Sequence, residues 1–171
     1  MRIKTITLLA LFIFSLNANA SLIGDEVSAT WKVDGSTVIS ETFVVDNGVE
    51  LNGTWASAGF LNVQDTSINI DFNDSTGLAA VVTWEFTSLD FSGTPGGISN
   101  VTVNTNYVGW QNSFLSFTDD SIFINFTSDV TYNNATDYFD IQITAVPLPA
   151  SLWLFTSGLI SLIALRRRKH T

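Results

Sequence analysis

Through the middle of this chain the apolar residues recur at every second position. Val27, Ala29, Trp31 and Val33 alternate with Ser28, Thr30 and Lys32, and Ile68, Ile70 and Phe72 alternate with Asn69 and Asp71. Ile122, Ile124 and Phe126 keep the habit, as do Phe139, Ile141, Ile143 and Ala145. Successive side chains of an extended strand point to opposite faces, so a period of two predicts half-buried strands with one face on a core. Turn chemistry separates the runs at Asp34-Gly35-Ser36, Asp46-Asn47-Gly48, Asp74-Ser75-Thr76-Gly77 and the glycine-rich stretch from Ser92 to Gly97. The first of these joins Val27–Val33 to a β-branched run from Thr37 to Val45, which predicts a hairpin. Leu78 to Phe86 is nearly continuous and apolar, as a central strand would be.

The class expected from this pattern is all-β, an antiparallel β-sandwich of jelly-roll-like or immunoglobulin-like kind. A closed barrel is the alternative, because both arrangements solve the problem of unpaired edges with antiparallel strands. One internal echo accompanies the pattern. Phe60–Phe72 (FLNVQDTSINIDF) and Phe114–Phe126 (FLSFTDDSIFINF) align without gaps and agree at seven of thirteen positions, with Trp55 and Trp110 ahead of them. Two copies are too few for a solenoid, so the echo points to a supersecondary unit used twice within one domain, with Asp65 and Asp119 at equivalent corners.

The two ends of the chain read differently. Arg2 and Lys4, the apolar Ile6–Leu16 and the small-residue pattern Ala18-Asn19-Ala20 form the three parts of a secretory signal, with cleavage expected after Ala20. At the other end Pro147 and Pro149 break the last strand, Ala150–Leu165 is apolar and uncharged, and Arg166, Arg167, Arg168 and Lys169 close the run. At about 1.5 Å rise per residue, the uncharged stretch from Val146 spans roughly 30 Å as a helix, the thickness of a bilayer core. Trp153 then lies at headgroup level and the four cations stay cytoplasmic by the positive-inside rule. The organisation expected is a signal peptide at 1–20, one exported domain at 21–145 and a membrane-anchoring segment at 146–171, its helix over 150–165.

The motif Val146-Pro147-Leu148-Pro149-Ala150, with its apolar run and basic end, resembles the C-terminal sorting signal of the PEP-CTERM family in its Val-Pro-Leu-Pro-Ala variant. Leu148 stands where the name-giving motif has glutamate. The resemblance implies a substrate of an exosortase-type membrane protease in a Gram-negative bacterium. It also implies transfer toward the cell surface or the extracellular polysaccharide of a biofilm matrix.

Charge and composition narrow what the exported domain can do. Six of the seven basic residues belong to the two terminal segments, which leaves Lys32 alone against all sixteen acids and a domain charge near −15. Nothing there can neutralise phosphates, which excludes nucleic acid as a partner. Cysteine is absent and the single histidine is His170 in the basic tail, so thiolate, Ser-His-Asp and histidine–zinc chemistry are excluded from the domain. Glycoside hydrolysis by a carboxylate pair, Glu41 with Glu85 or Glu50 with Asp71, is the one reaction with enough parts, and no pair is singled out. The expected role is therefore non-enzymatic and without cofactor. The alternative is a binding module, through sugar stacking on Trp55 and Trp110 or calcium held by Asp71 and Asn73 or by Asp119 and Asp120. The Asp71 loop is not an EF-hand, since Thr76 and Val82 occupy the positions that motif gives to glycine and glutamate.

Overall fold

The computed structural model describes residues 21–55, 59–72, 80–91, 97–130 and 136–146, and for 52–55 the backbone alone. These lie within one contact unit, Asn19–Pro147. The described strands are β1 (Glu26–Val33), β2 (Ser36–Val44), β3 (Leu51–Trp55), β4 (Gly59–Val63), β5 (Ser67–Phe72), β6 (Val82–Thr87), β7 (Ile98–Thr105), β8 (Leu115–Phe117), β9 (Ile122–Asn125) and β10 (Tyr138–Ala145). They form two five-stranded sheets, in the orders β2-β1-β6-β9-β8 and β3-β4-β5-β10-β7. Every pairing is antiparallel. Among the described residues no ladder joins the two sheets, so the closed-barrel alternative is set aside.

The period of two is visible as burial. Val27, Ala29 and Trp31 of β1, Val82, Trp84 and Phe86 of β6, and Phe139, Ile141 and Ile143 of β10 all enter one apolar cluster. The two sheets meet there through their aromatic rings. Phe72 of β5 stacks on Trp84 of β6 with centroids 6.0 Å apart, and Phe139 of β10 meets the same indole edge-on at 5.0 Å. Edge-to-face rings attract through opposed quadrupoles as well as through excluded water. β6 lies third of five in its sheet, as the Leu78–Phe86 run predicted. Its side chains nevertheless alternate between buried and half-buried, because its outer face stays partly open.

The β1–β2 hairpin follows its sequence signal. Asp34 and Gly35 both take positive φ, 47° and 76°, which is the twist that a two-residue turn needs to match right-handed strands. On the outer face of the hairpin Ser28 and Thr42, and Thr30 and Ser40, form cross-strand hydroxyl pairs at 2.8 and 3.0 Å. Beside them Lys32 donates to Glu85 on β6, with both side chains about a quarter exposed. Replacing Lys32 by methionine is expected to cost about 0.5–1 kcal/mol in urea unfolding, and less at high salt, since a partly exposed pair is screened. An equal loss at low and high salt would mean that the lysine stem, not its charge, matters.

The sequence echo is also an echo of register. Leu61, Asn62 and Val63 pair with Ile70, Asn69 and Ile68, and the aligned Leu115, Ser116 and Phe117 pair with Ile124, Phe123 and Ile122. Each hairpin closes with the same bond, Gln64 N–H to the Ser67 carbonyl and Thr118 N–H to the Ser121 carbonyl, both 2.8 Å. The corner carbonyls are used alike as well. Asp65 accepts from Leu22 N–H and Asp119 from Ile98 N–H, at 2.9 and 2.7 Å; Thr66 accepts from Ile143 and Asp120 from Leu89, at 2.8 and 2.9 Å. One unit is thus built once into each sheet, and its turn backbone ties down a neighbouring segment both times.

Candidate functional site

The last described strand leads directly to the proline motif. Phe139, Ile141 and Ile143 alternate with Asp140, Gln142 and Thr144, and the strand is held on both sides, by β5 through Gln142 and by β7 through Ala145. Its register with β7 slips between Thr144 and Ala145. After Ala145, paired with Ile98, one more ladder bond forms: Val146 N–H donates to the Gly97 carbonyl at 3.0 Å. Pro147, next in the sequence, has no N–H to give, and a residue before proline is pushed toward extended backbone. Val146 itself is half-exposed.

Residues 145–169 match the family model of the PEP-CTERM protein-sorting motif. The chain carries a PEP-CTERM sorting signal. Its match opens on Ala145, the last strand residue, so signal and fold share one residue and no spacer lies between them. No curated protein and no solved structure matches the chain. Of the residues read from the sequence as sorting motif and anchor, Val146 is described. Pro147, Leu148, Pro149, Ala150, Trp153 and Arg166–Lys169 lie outside the described residues, as do Ala18 and Ala20 of the expected signal peptide. Among the described residues no helix is long and apolar enough to cross a membrane, and the expected helix at 150–165 is outside them too.

The segment after the expected signal cleavage is held at the same end of the domain. Leu22 N–H donates to the Asp65 carbonyl at 2.9 Å, the Ser21 hydroxyl donates to the Asp65 carboxylate, and the next carbonyl, of Thr66, accepts from Ile143 three residues before Val146. Beside this junction a cleft of about 210 Å³ is lined by Ile23, Asp46, Asn47, Asn62, Gln64 and Asp65. The Asn62 Oδ1 is buried there without a hydrogen-bond partner. Sequence reading singled out the Asp46-Asn47-Gly48 turn and Asp65 separately. The N-terminal segment and Glu50 join them: Gly24 N–H donates to the Val45 carbonyl and Leu22 N–H to the Asp65 carbonyl, and the Glu50 carboxylate accepts from both Asp46 N–H and Val63 N–H.

Glu50 borders the same turn. Its carboxylate accepts from Val63 N–H at 2.7 Å and from Asp46 N–H at 3.4 Å, yet burial, and secondarily the nearby Asp46 charge, raise its pKa above the ordinary 4.5. A raised carboxyl holds its proton more tightly folded than unfolded. Its contribution to stability is therefore present at low pH and lost as pH rises past 4.5 and through the folded value. Glu50→Gln should gain in melting temperature relative to the parent between pH 4 and pH 7; a difference that stays flat with pH would rule burial out as the cause. Asp120 has the opposite sign. Hydroxyls of Ser121 and Thr118 donate to it at 2.8 and 2.9 Å and lower its pKa, so its small contribution is lost as pH falls.

The other candidate residues are scattered. Asp71 pairs with Tyr138 at the start of β10, while Asp119 holds Ile98, which pairs with Ala145 at the strand's far end. The intervening strand has eight residues, so Asp71 and Asp119 stand roughly 23 Å apart at 3.3 Å per residue. Among the described residues no three acids converge to hold a metal ion, and Asn73 lies outside them. The Trp110 ring is half-buried against Phe114, Phe126 and Phe139, with centroids 5.8–6.2 Å away, and its N–H donates to Asn112 at 3.1 Å. The side chain of Trp55 is outside the described residues. Glu41 pairs with Ala29 on the core-facing side of its sheet and Glu85 with Thr30 on the outer side, so that carboxylate pair is not assembled.

Proposed function

We propose that this chain is an exported, non-enzymatic β-sandwich protein that an exosortase-type membrane protease sorts through Val146-Pro147-Leu148-Pro149-Ala150, in the Val-Pro-Leu-Pro-Ala form of the signal. The observation that carries this reading is the sorting motif at 145–169, set directly behind the last strand of a domain whose two sheets share one core. The signal peptide delivers the domain across the cytoplasmic membrane, and the apolar run with its four cations holds the motif at the outer boundary. There one peptide bond near the motif breaks. Its acyl carbon passes to water or to an acceptor amine, and the departing nitrogen takes a proton. The domain moves on to the cell surface or the extracellular matrix, where a heavily acidic surface keeps copies apart and soluble.

Intact-mass analysis of fractionated native protein tests this. A species that begins at Ser21, ends within 146–150 and is found outside the membrane supports the reading. A membrane-bound species that keeps Arg166–Thr171 would mean that the tail is a plain anchor.

A second reading is a binding role at the cleft, favoured by the buried, unpartnered Asn62 carbonyl oxygen among carboxylates and amides that suit the hydroxyls of a sugar. A ligand that binds only the folded state raises its melting temperature. Screening soluble glycans, with calcium as a separate arm, against the exported protein and its Asn62→Ala variant tests it; the same response from both would remove the cleft from consideration.

A further inference from the structure

We propose that the rate of processing at the motif is set by how readily the last rungs between β10 and β7 come apart, with Ile143 fixing how far the chain can be drawn out. The inference rests on the sorting reading above. A protease that takes its substrate as an extended strand needs main-chain N–H and C=O groups near the scissile bond free to pair with it. Downstream, Pro147 and Pro149 offer no N–H at all. Upstream, the groups are already engaged: Ala145 is paired with Ile98, Val146 N–H is bonded to Gly97, and the Thr144 carbonyl accepts from the Ser99 hydroxyl at 2.9 Å.

The hold is graded along the strand. Val146 is 49% exposed and Ala145 only partly buried, and the register slip between Thr144 and Ala145 already interrupts the ladder, so freeing these residues uncovers little apolar surface. Ile143 differs. It is 5% exposed, pairs with Val101 on one side, and donates its N–H to Thr66 on the other at 2.8 Å. Drawing it out opens the core. The form that the enzyme can take therefore has residues 144–146 released and Ile143 in place. Apparent affinity scales with the fraction of molecules in that form.

Gly97 supplies the other half of the hold. A Cβ at this position would stand 2.8 Å from the Asp119 Cβ and 3.1 Å from the Asp119 carbonyl oxygen, the same oxygen that accepts Ile98 N–H at 2.7 Å. Only glycine permits this approach, and the approach sets the carbonyl that receives Val146. The doubled hairpin thereby reaches the sorting signal: a corner carbonyl of its second copy anchors the strand that clasps the motif.

The test is pulse–chase of the full chain in a host that carries the matching membrane protease, with the mature form identified by mass. Inserting Gly-Ser-Gly-Ser between Ala145 and Val146 leaves the ladder through Ala145 and frees the whole motif; conversion should become at least threefold faster. Gly97→Ala should move the rate in the same direction by a smaller factor, with the same bond cut. An unchanged or slower rate in both variants overturns the proposal. If the unaltered chain is not processed at all, the sorting reading fails and this inference goes with it, whereas a processed chain that ignores both changes sinks this inference alone.

Discussion

Replacing Trp84 by alanine is expected to destabilise the exported domain by about 3–5 kcal/mol, the range for removing a large aromatic side chain from a close-packed core. No part of the Trp84 side chain reaches solvent, and among the described residues it is the largest of the fully buried ones. It stands on the central strand of one sheet and touches the other through Phe72 and Phe139, at 6.0 and 5.0 Å, and meets Phe126 at 5.3 Å. Three rings would lose a partner at once. The surrounding strands are hydrogen-bonded on both sides and cannot close in to fill the space, so most of the cavity should persist. Since a domain of this size has only about 5–15 kcal/mol in total, the variant should melt some 10–20 °C lower or fail to accumulate after export. Trp110→Ala is the internal comparison. Its ring is half-buried at the margin of the same cluster, and a loss of about 1–2 kcal/mol is expected. Equal losses at the two positions in thermal melts followed by circular dichroism would contradict the assignment of Trp84 as the keystone between sheets.

Sequence and structure agree where the physics is local. The period of two announced β1, β5, β9 and β10, because alternate apolar residues reach the core: Val27, Ala29 and Trp31; Ile68, Ile70 and Phe72; Ile122 and Ile124; Phe139, Ile141 and Ile143. The Asp34-Gly35 turn was equally legible, since positive φ at two successive positions selects such residues. Sheet order was not legible. β6 enters between β1 and β9, and β10 between β5 and β7, and such pairings are chosen by the whole core, leaving no trace in the neighbouring sequence. Leu89 and Phe91 escaped the pattern for a related reason. Both are 1% exposed in a non-strand segment where Ser88 and Phe91 take positive φ, 63° and 51°, so their burial follows from an irregular path and not from alternation. At the candidate site, the sorting motif was readable because prolines, apolar run and cations lie in one stretch. The clasp on it was not, since only the fold brings Gly97 and Ile98, at the start of β7, against β10 and sets Asp119 of the β8–β9 turn behind them.

Exchanging both prolines of the motif, Pro147→Ala with Pro149→Ala, is expected to reduce processing at least tenfold, a change of about 1.4 kcal/mol or more in the stabilisation of the reacting complex. The effect is conformational. Each proline fixes φ near −65° and holds the residue before it extended, so the pair presents Val146 to Ala150 as an extended peptide at little entropic cost; alanine at both sites lets that segment sample the helical conformation favoured by the apolar run that follows. Both changes lie beyond Val146, the last described residue of the ladder, so the domain should melt as the parent does, and export should be unaffected. The informative measurement is therefore the ratio of precursor to mature protein among exported molecules. If the doubly exchanged chain is cut as fast as the parent, the prolines are not read. Recognition would then lie in the apolar run and its basic end, Arg166 to Lys169.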